Sequence, residues 1–267
     1  MEYTIGFIIA VFIALTGVGA GTITTPLLIL FLGVPASAAV ATGLMFSTVV
    51  KLVLVPSQIA RKQVNWRVLG LMLLGGVPGV LIGSLFLKHL DVHGPQLLLN
   101  GLLGVILVAT ALYQIYFSFR ASDQQLIPNR DRSRLMPFLM FPVGAEVGFS
   151  SAGAGALGSA ALLSLTSLSP TQVVGTDIVF GFVLSLIGSG AHGFFSGTGT
   201  ALVKHLIIGG LFGVIAGSLV SKWIPKRPLR FALWIWLLII GSQFIYTNAY
   251  AAHSRSVQAA ASVTGKK

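Results

Sequence analysis

Four ionisable side chains stand well inside long apolar stretches of this sequence, Lys51, Glu146, Asp177 and His192, while Lys204 and His205 lie near the start of another, where they reach the interface. A charge at mid-bilayer depth costs about 3 kcal/mol even on lenient scales, so each of them needs a reason to be there. Lys51, flanked by Val49, Val50, Leu52 and Val53, offers a fixed positive charge that draws an anion into a wet cavity; the competing use is an internal pair with a buried acid, Asp177 or Glu146. Asp177 follows Thr176 near the start of an apolar segment, where a carboxylate either carries a proton or caps a helix. Glu146, the one acid of its segment, has the same two uses, proton carrier or structural partner. Histidine titrates near neutrality, so His192 suits a proton relay, and a hydrogen bond to a backbone carbonyl is the alternative. On one straight helix His192 lies about 22 Å beyond Asp177, too far for the two to touch.

Hydroxyls and glycines surround these charges in two runs. One reads Thr16-Gly17-Val18-Gly19-Ala20-Gly21-Thr22, the other Ser150-Ser151-Ala152-Gly153-Ala154-Gly155-Ala156. Glycine costs a helix about 1 kcal/mol relative to alanine, so such runs permit unwinding. Unwound backbone at membrane depth persists only when it is buried in protein or lines a water-filled cavity. Close packing between helices is the competing use of small residues. A half-helix that restarts after such a break presents N–H groups and partial positive charge, suited to an oxyanion. Thr22, Ser150 and Ser151 would join those N–H groups around it.

The rest of the chain explains what holds these groups. Of 267 residues 55% are hydrophobic and only 9% charged, against about 25% charged in a soluble domain. Too few charges remain to build a water-facing surface, and a bilayer is the solvent that fits. With no cysteine, disulfides, thiolate metal sites and thiol catalysis are excluded. Eight stretches are long enough to span a membrane: 5–32, 36–59, 68–87, 96–119, 135–168, 171–195, 200–220 and 229–250. The expectation is an all-α polytopic membrane protein with repeats at 1–119 and 135–250, a basic linker at 120–134 and a polar tail at 251–267. The first stretch lacks the basic start and short apolar core of a signal peptide. Trp66, Trp223, Trp234, Tyr246 and Tyr250 fall mostly near segment ends, as headgroup anchors do.

Stretches one and five are too long for one straight crossing; 5–32 as a single helix would measure about 42 Å. They either cross once, broken in the middle, or return as hairpins. In the first case the N-terminus is inside; in the second each half crosses three times and the halves are inverted. The positive-inside count is the same both ways. The inverted arrangement is preferred because the basic cluster at 222–230 adjoins its helices, whereas Lys266 and Lys267 are distant. Either way Arg61, Lys62, Arg67 and the central linker are cytoplasmic.

The two halves repeat. The offset that lays Gly19, Ala20 and Gly21 on Gly153, Ala154 and Gly155 also lays Thr42 on Thr176. It lays Gly75, Gly76, Gly79, Gly83 and Ser84 on Gly209, Gly210, Gly213, Gly217 and Ser218. It pairs Lys51 with Ser185 and Gln58 with His192, so each half carries two polar positions on one helix face. Repeats with glycine-broken helices at matching positions point to a secondary transporter whose site lies between the halves. The candidate anion site is therefore Gly19, Gly21, Thr22, Thr42, Lys51, Gln58, Ser150, Ser151, Gly153, Gly155, Thr176 and Ser185. The candidate proton carriers are Glu146, Asp177 and His192. A passive anion channel and a non-transporting membrane scaffold are the rival functions. An enzyme is not expected: the histidines are scattered, no Walker motif is present, and no metal or other cofactor is called for.

Gly-Val-Gly-Ala-Gly-Thr at 17–22, Ala-Thr-Gly-Leu at 41–44, Gly-Thr-Asp-Ile at 175–178, Pro35, Pro170 and His192 together resemble the sulfite exporter TauE/SafE family of membrane transporters. The resemblance runs from about residue 5 to residue 250. It implies a carrier of the bacterial inner membrane, with a small sulfur-containing anion (sulfite, a sulfonate or a related organosulfur acid) as cargo. Protons would be the coupling partner and membrane lipids the surroundings, with a homodimer as a possible assembly. Lys51 departs from the family pattern, in which a small or apolar residue is usual, and agrees with an anionic cargo.

Overall fold

The computed structural model describes residues 2–16, 20–93, 96–123, 132–152, 154–193, 200–220 and 231–247, and no strand occurs among them. The helices are α1 (Glu2–Thr16), α2 (Ala20–Leu32), α3 (Ala36–Ala60), α4 (Trp66–His93), α5 (Gln96–Asp123), α6 (Met136–Ser150), α7 (Ala154–Leu165), α8 (Pro170–Ala191), α9 (Thr200–Val220) and α10 (Phe231–Thr247). A single 3-10 turn, Ser133–Leu135, leads into α6. Helices α1 to α4 begin at the repeat counterparts of α6 to α9. Among the described residues five helical stretches, 36–60, 66–92, 99–116, 170–191 and 203–220, are long and apolar enough to cross a membrane. Large side chains such as Phe138, Phe212 and Leu219 stand exposed on the outside, as a lipid-facing surface requires.

The second odd stretch, 135–168, is a hairpin of α6 and α7. The Arg132 N–H, just before α6, donates to the Leu165 carbonyl at the end of α7, at 2.9 Å. An unbroken helix would hold those two residues about 50 Å apart. The turn is built by the Ser-Ser pair. Ser151 adopts the left-handed conformation at φ 63 and closes α6 by donating its N–H to the Val147 carbonyl. Such a conformation costs a non-glycine residue about 1 kcal/mol. The Ser150 hydroxyl offsets this by donating to the Glu146 carbonyl and accepting from the Ala152 N–H, which satisfies backbone groups that the helix end leaves open. In the first stretch, Ile8, Ile9 and Phe12 of α1 face Ile23 and Leu27 of α2 across one cavity of about 290 Å³, so α2 runs back beside α1. The break itself, at 17–19, lies outside the described residues. Both stretches are therefore bent back on themselves rather than straight.

The halves exchange their first helices. α6 packs on α4 and α1 packs on α9. Gly75, Gly79 and Gly83 of α4 lie against the carbonyls of Pro137, Phe141 and Ala145; Gly209, Gly213 and Gly217 of α9 lie against Tyr3, Phe7 and Val11, the repeat counterparts. Gly76 seats the ring of Phe180, and Gly210 seats that of Phe46, again counterparts. Without side chains at these glycines the helix backbones approach closely, and dispersion contacts are the main force joining helices in lipid.

Between these two interfaces run α3 and α8. Gly188, late in α8, touches Leu44, early in α3, while Gly175, early in α8, touches Gln63, just beyond α3. The two helices are therefore antiparallel. α8 begins with a capping box in which Ser169 and Gln172 each satisfy the other's backbone N–H, and Pro170 supplies a preset first turn.

Candidate functional site

The two hairpins meet at their tips. Gly21, in the first turn of α2, is so close to Ser151 at the α6–α7 turn that a Cβ there would strike the Ser151 carbonyl and hydroxyl oxygens. Gly43 of α3 forms the floor. A Cβ on Gly43 would lie 2.6 Å from the Thr25 hydroxyl oxygen and 2.9 Å from that of Ser151. Both hydroxyls are buried, at 2% and 5% exposure, and neither has a hydrogen-bond partner among the described residues. A buried donor left unpaired costs about 1–3 kcal/mol, so two converging on one spot call for an acceptor. Gly21 and Thr22 place the first turn of α2, the positive end of its dipole, at the same spot.

The second half shows what such an acceptor looks like. The repeat offset pairs Thr25 with Ser159 and Gly43 with Asp177. There the Ser159 hydroxyl donates to Oδ2 of Asp177 at 2.8 Å, while Gly158 leaves room for Oδ1. Where the second half supplies its own carboxylate, the first half has a glycine and a hydroxyl with no acceptor. Lys51, buried in α3, is near enough to Asp177 for the two charges to interact. The internal pairing open to Lys51 is thus with Asp177, and Glu146 takes no part in it.

The other sequence-derived positions divide clearly. Ser150 braces the turn as described, and Gly155 lies in the first turn of α7. Thr42 and Ser185 are buried, but their hydroxyls donate to carbonyls of their own helices, Ala38 and Phe182. The Thr176 hydroxyl accepts the N–H of Asn65 at 3.0 Å and ties the α3–α4 loop to α8. Gln58 is half-buried far along α3, with its amide on the neighbouring Ser57, away from the hairpin tips. His192 caps: its Nε2 is 3.1 Å from the Gly148 carbonyl in the last turn of α6, which also accepts from the Ser84 hydroxyl. Glu146 points away from the tips toward Thr110 of α5, with which it is hydrogen-bonded. Gly19 and Gly153 lie outside the described residues.

Thr25 and Gly43 escaped sequence reasoning. The signal was within reach, since Gly43 and Asp177 directly follow Thr42 and Thr176, already paired by the repeat. No group of three or more metal-ligating side chains occurs among the described residues.

The family model for the sulfite exporter TauE/SafE matches residues 3–244. The chain belongs to that family. It is also 30% identical over 247 residues to the "Probable membrane transporter protein YjnA" of Bacillus subtilis (strain 168), covering 90% of this chain and 97% of that one. No solved structure matches it. As a member of the sulfite exporter TauE/SafE family, the chain is an integral membrane protein of the transporter class.

Proposed function

We propose that this protein is a secondary active transporter that exports a small sulfur-containing oxyanion (sulfite, a sulfonate or a related organosulfur acid) across the bacterial inner membrane, coupled to protons. One observation carries the reading: the Thr25 hydroxyl lacks the carboxylate that its counterpart Ser159 has in Asp177. A bound oxyanion supplies that missing acceptor, taking hydrogen bonds from Thr25, Ser151 and the first-turn N–H groups of α2. Hydrogen bonds to a charged group contribute about 1.5–3 kcal/mol each, enough to repay the two buried hydroxyls. Lys51 and the dipole of α2 raise the local potential, so the solute enters as an anion.

In the membrane the two hairpins are re-entrant and the other three helices of each half cross, the shorter α10 included, which turns the second half upside down relative to the first. The antiparallel run of α3 and α8 and the Arg132–Leu165 bond support this topology. Inverted halves joined at broken helices are the architecture of alternating access around a central site. The reading is tested with purified protein in proteoliposomes. Sulfite or sulfoacetate should accumulate when a pH gradient is imposed and should raise thermal stability in detergent, since a ligand that binds the native state stabilises it. Accumulation of none of a panel of sulfite, sulfate, taurine, sulfoacetate and thiol-bearing carboxylates would overturn it.

A further inference from the structure

Outside the hairpin tips stands a second polar pair, with Thr110 buried and Glu146 partly buried. Glu146 of α6 and Thr110 of α5 are hydrogen-bonded and together line a cavity of about 440 Å³ between α4, α5 and α6. α4 presents Gly83 and Phe86 to this cavity, α5 Ile106, and α6 Pro142 and Phe149; among the described residues no other ionisable side chain lines it. Ile82 and Phe86 at its mouth are about half exposed on the lipid-facing surface, at 52% each. The cavity is an apolar crevice that opens sideways toward lipid.

The hydrogen count inside it is informative. The Thr110 hydroxyl lies 2.8 Å from the Ile106 carbonyl one turn back, the usual intrahelical bond of a threonine, and also contacts Oε1 of Glu146. A hydroxyl has one proton to give and lone pairs to accept with. Given to Ile106, that proton leaves the Glu146 contact without a donor unless the carboxyl brings its own. A protonated Glu146 donating to the Thr110 oxygen satisfies both bonds. It also removes an unpaired carboxylate from apolar surroundings that hold no cation.

The repeat marks the carboxyl as an addition. At the offset that relates the halves, Glu146 corresponds to Phe12. Phe12 lines a cavity between α1, α2 and α10 in which, among the described residues, no ionisable side chain takes part. Packing at this position of the repeat is met by phenylalanine in the first half, so a carboxyl there is not a requirement of the fold.

We propose that Glu146 is the side chain that carries the coupled proton, held neutral by Thr110 in a crevice separate from the anion site, so that proton and anion occupy different places in the molecule. The inference rests on the transport reading above. Through the Ser150 hydroxyl on its own backbone carbonyl, Glu146 adjoins the turn that bears Ser151. Proton release is thereby positioned to move the tip of the second hairpin.

The test uses dicyclohexylcarbodiimide, an apolar reagent that partitions into lipid and reacts with protonated carboxyls. The carboxyl O–H adds across one C=N bond and the acyl group then migrates to nitrogen, leaving a stable adduct with no leaving group. On wild-type protein in liposomes, peptide mapping should find a single adduct at Glu146, and a water-soluble carbodiimide should give none. Glu146→Gln, which retains a donor for Thr110, should keep anion exchange between the two sides while the response of net flux to an imposed pH gradient falls at least tenfold. No adduct at Glu146, or an unchanged pH response in Glu146→Gln protein that folds as judged by its thermal unfolding, would overturn the proposal. If wild-type protein moves no anion, the transport reading falls, and the labelling by itself still decides whether a neutral carboxyl occupies the crevice.

Discussion

Gly79 of α4 lies directly against the carbonyl oxygen of Phe141 in α6, with no space for even a methyl group between them. Gly213 of α9 stands in the same relation to Phe7 of α1. These contacts hold each hairpin to the opposite half, so the hairpin tips are placed by the glycine stripes. Gly79→Leu should force the helices apart at a cost of about 3 kcal/mol or more, and Gly213→Leu should do the same. Gly70→Ala, on the same helix where an added Cβ meets nothing within 4 Å, should leave stability unchanged or raise it by up to about 1 kcal/mol. Thermal unfolding in detergent reads all three; a Gly79→Leu protein as stable as wild type would show that the interface is looser than its backbone spacing implies.

The helical, membrane-embedded class of this chain was legible because composition and apolar run length are local quantities. The repeat was legible for the same reason, and it marked both the glycine stripes and the breaks. What no local pattern could reveal is partner choice. Gly75, Gly79 and Gly83 look equally suited to packing within their own half, and only the fold shows them gripping α6. His192 and Asp177 sit on one helix, yet each answers to a different element, Gly148 of α6 and Ser159 of α7. Thr25 was invisible as a site residue because a threonine in an apolar helix ordinarily donates to a carbonyl one turn back, as Thr42 and Thr48 do. Its exceptional state, buried with no acceptor, is a property of the assembled tips.

Lys51 and Asp177 provide the sharpest test of whether the internal charge is structural. In a dry interior, removing one member of a pair strands the other, which costs about 3 kcal/mol or more. Lys51→Met and Asp177→Asn should each destabilise the protein, and the double variant should recover at least about 1 kcal/mol of their summed loss. Strict additivity in thermal or denaturant unfolding would mean that the two charges do not depend on each other, and would leave Lys51 answering to the solute alone.

His192 is expected to act through the end of α6. His192→Ala leaves the Gly148 carbonyl with the Ser84 hydroxyl as its remaining side-chain partner and should cost about 1 kcal/mol. His192→Gln can restore the bond with its amide N–H but cannot carry a proton. It should recover stability and retain a wild-type response of flux to the pH gradient. Stability regained without that response would transfer the proton-carrying role from Glu146 to His192.

The two unpartnered hydroxyls predict effects of opposite sign. Thr25→Val removes a buried donor that has nothing to bond and keeps the shape of the side chain, so the ligand-free protein should be as stable as wild type or more so. Ser151→Gly removes the second hydroxyl and suits the left-handed backbone, relieving about 1 kcal/mol of strain. Both should weaken anion binding about tenfold or more, the loss of one hydrogen bond to a charged group. Ser159→Ala is the counterpart control: it strips Asp177 of a donor in the half that supplies its own acceptor and should destabilise the protein. Unfolding with and without sulfite or sulfoacetate separates the two effects. A stabilised Thr25→Val protein with undiminished ligand response would place the anion elsewhere, because a hydroxyl that costs stability and contributes no binding is not part of a site.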